Sequence, residues 1–143
     1  MKENVNLNSI LIQMIKEYEQ THKVMTFSFT KIKNDFYYSD IDDDLLNEMN
    51  LLRNNIVNKR LQDICATRKI ATELYVFYEL AWNNQQSGLY TLNLNDTLYI
   101  IFFKLFEKEN NTKIVKGHCI PICTQEELFL TDTMPKFKRS DFF

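Results

Sequence analysis

The sequence predicts an α+β domain. It has about three helices in the N-terminal two-thirds, a small antiparallel sheet built from a strand near 24–32 and a meander near 89–122, then a short C-terminal helix and an extended tail. Three observations carry this expectation. Neither Gly nor Pro occurs before Gly88, which favours helices over loops in the first half. Apolar residues recur at helical spacing through most of that half, and at period two around Met25–Phe29 and again after Gly88. The 143-residue chain is 45% hydrophobic, with 11 Phe and 7 Tyr, so it can bury roughly two-thirds of its unfolded surface around one aromatic-rich core.

The elements follow in chain order. Leu7, Leu11, Met14 and Tyr18 share one helical face, with Lys16, Glu17 and Glu19 largely off it, which predicts a helix over about 6–21. Met25, Phe27 and Phe29 alternate with Thr26, Ser28 and Thr30, the pattern of a strand buried on one side. The stretch around Asn34 and Asp35 reads as a polar loop. The acids between Ser39 and Asp44 sit where they complement the positive end of a helix starting near Asp42. Leu45, Met49, Leu52 and Ile56 form one apolar stripe, and Ile64, Ala71, Leu74, Tyr78 and Ala81 a second, phase-shifted one. A single helix of that length would reach about 60 Å, too long for this domain, so a break is expected near 66–69.

After Gly88 the texture changes. Leu89–Leu94 alternates, Asn95-Asp96 supplies a tight turn, 97–107 is rich in β-branched and aromatic residues, and Asn110-Asn111 makes a second turn before 114–122. The spacing of Leu98, Ile101, Phe102, Leu105 and Phe106 also fits a helix, but the β reading is preferred. Thr124 with Glu127 is a capping-box pattern for a short helix through about Leu130. Residues 1–133 thus read as one globular domain and 134–143 as a basic and aromatic tail.

Composition narrows the function classes. A net charge of −2 lacks the basic field of a protein that coats nucleic acid, so any such contact is local. Three cysteines do not suggest a disulfide framework. Polar residues interrupt the N-terminal apolar stretch, and no apolar run is long enough to span a bilayer. A cytoplasmic location is expected, with the nucleus as the other compartment these features suit, and no membrane partner.

Candidate chemistry is sparse. His118, Cys119 and Cys123 have the ligand types and spacing of half a zinc site, with Cys65 or His22 needed to complete it; small buried thiols explain the same cysteines. Asp40, Asp42, Asp43 and Asp44 lack the Gly and terminal Glu of a calcium loop and fit helix capping. Gly88 and Gly117 stand alone, so no phosphate loop is present and no enzyme activity is expected. Lys59, Arg60, Arg68 and Lys69 form two basic pairs suited to phosphate or an acidic partner, or simply to a solvated face.

The tail draws most attention. In residues 134–143 the side chains Lys136, Phe137, Lys138, Arg139, Phe142 and Phe143 combine cations with large aromatics after Pro135. Such groups stack on unpaired bases and pair with phosphates, or fill pockets on a protein; the alternative is that the rings fold back on the domain itself. The function expected from the sequence is a non-enzymatic, cofactor-free factor docking on a large protein or ribonucleoprotein assembly through this tail. In its most concrete form it is a ribosome-associated accessory or inhibitory factor of the dormancy type, with RNA contact through the tail. The alternatives are a subunit, adaptor or inhibitor in a purely protein complex, and a small zinc-binding domain.

Overall fold

The computed structural model describes residues 7–85, 89–108, 112–122 and 124–143. Its elements are α1 (Leu7–Thr21), β1 (Met25–Ile32), β2 (Asp35–Ile41), α2 (Asp43–Met49), α3 (Leu61–Ile64), α4 (Arg68–Trp82), β3 (Tyr90–Leu94), β4 (Thr97–Lys108), β5 (Thr112–Pro121), α5 (Gln125–Leu130) and β6 (Lys136–Lys138), with 3₁₀ turns at Arg53–Asn55 and Arg139–Asp141. The strands form one sheet in the order β2-β1-β5-β4-β3-β6. All neighbours are antiparallel except β3 and β6, which are parallel. The sheet is mixed and curls into a half-barrel.

This corrects the expected small antiparallel sheet with about three N-terminal helices and an extended tail. One strand missing from that expectation is β2. Its inward residues Phe36, Tyr38 and Ile41 are spaced two and then three apart, because a bulge lets Phe29 face Tyr38 while Ser28 faces Asp40. Ser39 is the extra residue, and it breaks the alternation by which a strand is recognised. The long helical stretch expected after Asp42 is instead α2, α3 and α4 joined by irregular chain. The C-terminal residues do not leave the domain: Lys136–Lys138 adds to the sheet beside β3, pairing Leu92 with Phe137.

Asparagine explains the shorter helices. Lys33, Asn50, Asn58, Asn84, Asn95 and Asp96 all have left-handed backbone angles. Asn and Asp tolerate that region better than other residues with a Cβ, and here they perform the turns usually left to Gly. Asn50 terminates α2 with φ 55°, Asn58 turns the chain ahead of α3, and Asn84 follows α4. Asn95 and Asp96 together make the two-residue turn that joins Leu94 to Thr97, both with positive φ as that hairpin geometry requires.

Residues from every strand face inward onto α4. The inner core joins Phe27, Phe29, Tyr38, Tyr90, Phe103 and Phe137 of the sheet to Leu74 and Tyr78 of the helix. Tyr78 stacks on Phe29 with centroids 4.3 Å apart and planes 5° from parallel, and Phe36 and Phe103 meet it edge-on. Lys31 on β1 clasps Glu79 on α4 at 2.7 and 2.9 Å, fixing the helix along the strand. The other face of the sheet carries α1, whose Ile15 is buried with Leu89, Ile100, Phe102 and Ile120. Ile12 and Tyr18 flank it. The side chains of Leu7 and Leu11 lie outside the described residues.

Gly117 on β5 lies under the ring of Phe27. A Cβ there would stand 2.5 Å from Cζ of that ring. Phe27 is held between Tyr38, Tyr78 and Phe103, so it has little room to yield. Gly117→Ala is expected to destabilise the fold by about 1–3 kcal/mol through overpacking, read from the midpoint of urea unfolding. In the same assay Phe137→Ala should cost about 3–5 kcal/mol, as removal of a core phenyl ring does.

Candidate functional site

Residues 141–143, far from the basic pairs in sequence, lie against the α3–α4 connection, whose groove Arg60 and Arg68 also line. Residues 141–143 run along 64–66 between α3 and α4. Ala66 N–H donates to the Asp141 carbonyl at 2.7 Å, Phe143 N–H donates to the Ile64 carbonyl at 3.0 Å, and Cys65 bridges Phe142. Beside this pairing a groove of about 800 Å³ opens, lined among others by Arg60, Asp63, Ala66, Arg68, Tyr75 and Val76. The groove exists because Thr67 caps α4, its hydroxyl accepting from the Ile70 N–H at 3.2 Å, and so turns the chain sharply out of α3.

The six tail residues have distinct environments. Phe137 is 3% exposed and meets Tyr90 and Phe77 edge-on, as a core residue does. Phe142 is half-buried against the inner core, whereas Phe143 is 64% exposed. Lys136 folds its ammonium onto the carbonyls of Thr131, Asp132 and Met134 at 3.3, 2.9 and 3.2 Å. Arg139 donates to the Met49 carbonyl at 2.6 Å and to the Phe142 carbonyl at 3.0 Å, tying the segment to α2. Lys138 is exposed, and its backbone N–H donates to the Asp141 carboxylate at 2.9 Å. Of the three rings, then, Phe143 alone presents most of its surface to solvent.

The basic pairs also divide. Arg60 forks onto Asp63 at 3.0 and 3.1 Å, and this contact holds the Asp63 carboxyl below its ordinary value. Arg68 and Lys69 occupy the first turn of α4, where cations oppose the helix dipole, and among the described residues neither side chain has an acidic partner. Lys59 borders a separate surface hollow with Arg53 and Val57, while its carbonyl accepts from the Tyr38 N–H. The acidic run is likewise dispersed. Asp40 and Asp43 both take Arg53, at 2.7 and 2.5 Å, Asp42 accepts from the Thr26 N–H at 2.8 Å, and Asp44 lies 3.4 Å from Lys23.

His118 and Cys119 are neighbours on β5 and face opposite sides of the sheet, as alternation demands. Cys119 belongs to the inner core, and burial pushes its thiol up to about 12, as it does that of Cys65. Both thiols are therefore protonated and unreactive at neutral pH. Cys123 lies outside the described residues. His22 stacks on Tyr18 at 4.1 Å at the end of α1.

His118 belongs instead to a polar cluster under α1 that sequence reasoning missed. Lys104 on β4 donates to Glu19 at 2.6 Å, and His118 Nδ1 stands 3.3 Å from the other oxygen of Glu19. The side chains of Glu19 and His118 are only 16% and 12% exposed. Helical spacing puts Glu19 off the main apolar face of α1, and nothing local marks its pairing with a strand so distant in sequence. Burial lowers the pKa of His118, with Lys104 and Lys116 adding to the effect and Glu19 and Asp42 opposing it. The unfolded chain, with an imidazole near 6.5, takes up its proton first. Stability should therefore fall as the pH drops below about 6.5, and His118→Asn should flatten this decline in urea titrations between pH 7 and 5.

Among the described residues no group of three or more His, Cys, Asp or Glu is arranged to hold a metal ion, and no helix is long and apolar enough to cross a membrane. The sequence matches no known protein-family model and no curated protein, so a functional reading rests on the corner where α3, α4 and residues 141–143 meet.

Proposed function

We propose that this chain is a non-enzymatic binding factor that docks on a large ribonucleoprotein assembly, in its most concrete form the ribosome, through the α3–α4 corner and the segment ending at Phe143. The observation that supports this reading is the pairing of 141–143 with 64–66, which fixes the exposed Phe143 beside Ile64, in the connection that leads into Arg68 and Lys69, cations with no acidic partner among the described residues. Arg68 and Lys69 at the positive end of α4 are suited to phosphate, and Phe143 to a stacked base or a shallow apolar pocket. The acidic net charge fits an accessory that contacts its assembly at one patch better than a protein that coats RNA.

A second reading, a subunit, adaptor or inhibitor in a purely protein complex, is favoured by Leu52 and Phe129, whose side chains are 71% and 74% exposed. Salt separates the two readings, because phosphate contacts weaken steeply with ionic strength and apolar pockets do not.

Truncating residues 134–143 would remove β6 and is a poor test. The triple variant Arg68→Glu/Lys69→Glu/Phe143→Ala alters only surface groups and should melt like the wild type. In low-salt sucrose gradients the wild-type chain is expected to travel with ribosomes, and the variant to bind about tenfold more weakly or worse. A wild-type chain that stays at the top of the gradient overturns the ribosomal reading, and binding that persists at high salt transfers support to the protein-complex one.

A further inference from the structure

Glu19 ties the outer helix α1 to two strands of the sheet. Lys104 of β4 donates to its Oε2 at 2.6 Å, and the ring of His118 on β5 holds Nδ1 3.3 Å from its Oε1. The second contact makes no hydrogen bond. Oε1 is sealed under α1 without a donor, and His118 Nε2 is sealed there without a partner among the described residues. Buried polar atoms in native proteins are normally paired, so two orphaned atoms at one joint mark where the docking of α1 is least satisfied.

A proton on His118 makes this joint worse. The imidazolium carries an N–H at both nitrogens. Glu19 Oε1 lies within reach of the one on Nδ1, but the one on Nε2 stays buried without an acceptor. Burial weighs most against the charged ring, with Lys104 of β4 and Lys116 of β5 adding to it, while Glu19 of α1 and Asp42 ahead of α2 favour the charge. Thr26, opposite His118 on β1, carries no charge. The docked ring therefore binds its proton less readily than an exposed imidazole does.

α1 is also attached separately from the rest of the fold. Leu74 and Tyr78 lock α4 into the inner core, to which no described residue of α1 contributes. α1 rests instead on a smaller cluster across the sheet, Ile15 with Leu89, Ile100, Phe102 and Ile120, and among its described side chains Ile15 alone is fully buried. Among the described residues no backbone hydrogen bond joins α1 to a strand. The helix can thus leave without breaking strand pairing or the inner core, as a local opening unit does.

We propose that α1 is an acid-released cover on the outer face of the sheet. As the pH falls below neutral, protonation of His118 at its joint with Glu19 detaches the helix while the six strands and α4 stay folded, baring Leu89, Ile100, Phe102 and Ile120. The open state takes up the proton first and so gains on the docked one as the pH falls. With an open-state imidazole near 6.5, the ceiling on this gain between pH 7 and 5.5 is about eightfold. The acid-linked loss of stability is thereby confined to one helix, and the device does not depend on the docking corner.

Hydrogen–deuterium exchange of the full chain, followed by mass spectrometry at pH 7 and 5.5 and corrected for the intrinsic pH dependence of amide exchange, reads the two helices separately. Protection of α1 is expected to fall several-fold, within that ceiling, while α4 keeps its own. The fall should vanish in His118→Asn and persist in His22→Asn, which removes the one other histidine of the chain. Equal protection of α1 at both pH values overturns the proposal, and so does a joint loss from α1 and α4, which is global unfolding. A fall that survives in His118→Asn does the same, because the responsible proton then binds elsewhere. Should that variant not fold, the ring signals of His118 in NMR spectra of the wild type take its place. A ring that titrates at or above 6.5 overturns the proposal, and one that titrates below it in step with the loss of α1 protection upholds it.

Discussion

The stack of Tyr78 on Phe29 is the contact around which the molecule is organised. It places a phenol from the middle of α4 flat against the central part of β1, and the neighbouring rings of Phe36, Tyr38 and Phe103 close round it at steep angles, with Phe27 tilted by 34°. Flat sheets do not enclose a helix in this way. Curvature lets strands at both sides of β5 present their inner rings to one residue, and the Ser39 bulge and the bare backbone of Gly117 are the local concessions that allow it. The same curl leaves a small void lined by phenols, because rings meeting edge-on around a centre do not tile space completely.

Much of the secondary structure was legible from spacing, but the architecture was not. The alternation at Met25–Phe29, the Asn95-Asp96 turn, the Thr124–Glu127 box and the β character of 97–108 are local signals, and those elements lie where the spacing indicates. Where local rules misled, the physical cause is visible. The absence of Gly and Pro before Gly88 suggested long helices, yet Asn50 and Asn58 take left-handed angles and perform the breaks. The bulge at Ser39 disguised β2, and a three-residue parallel strand such as β6 carries too little pattern to be told from a loop.

The candidate site was legible as ingredients and illegible as an arrangement. Arg68, Lys69 and Phe143 stand out by type, but the backbone bonds that lay 141–143 along 64–66 are encoded by no spacing rule. Phe137 and Phe143 look alike in sequence, and only the parallel register with Leu92 sends one inside and leaves the other in solvent. The Glu19–Lys104–His118 cluster was hidden for the same reason, since its members come from three elements.

The order of strands also constrains time. β1 emerges early in synthesis, yet its inner-sheet neighbour is β5, with Met25 opposite Cys119, and the edge beyond β3 is closed only by β6. Until those later residues exist, the β1–β2 hairpin offers Phe27, Phe29 and Phe36 to whatever is nearby. Such distant pairings make folding slow and leave the nascent chain prone to self-association. A copy whose synthesis has not yet reached β6 would thus leave the inner face of the sheet without its closing strand.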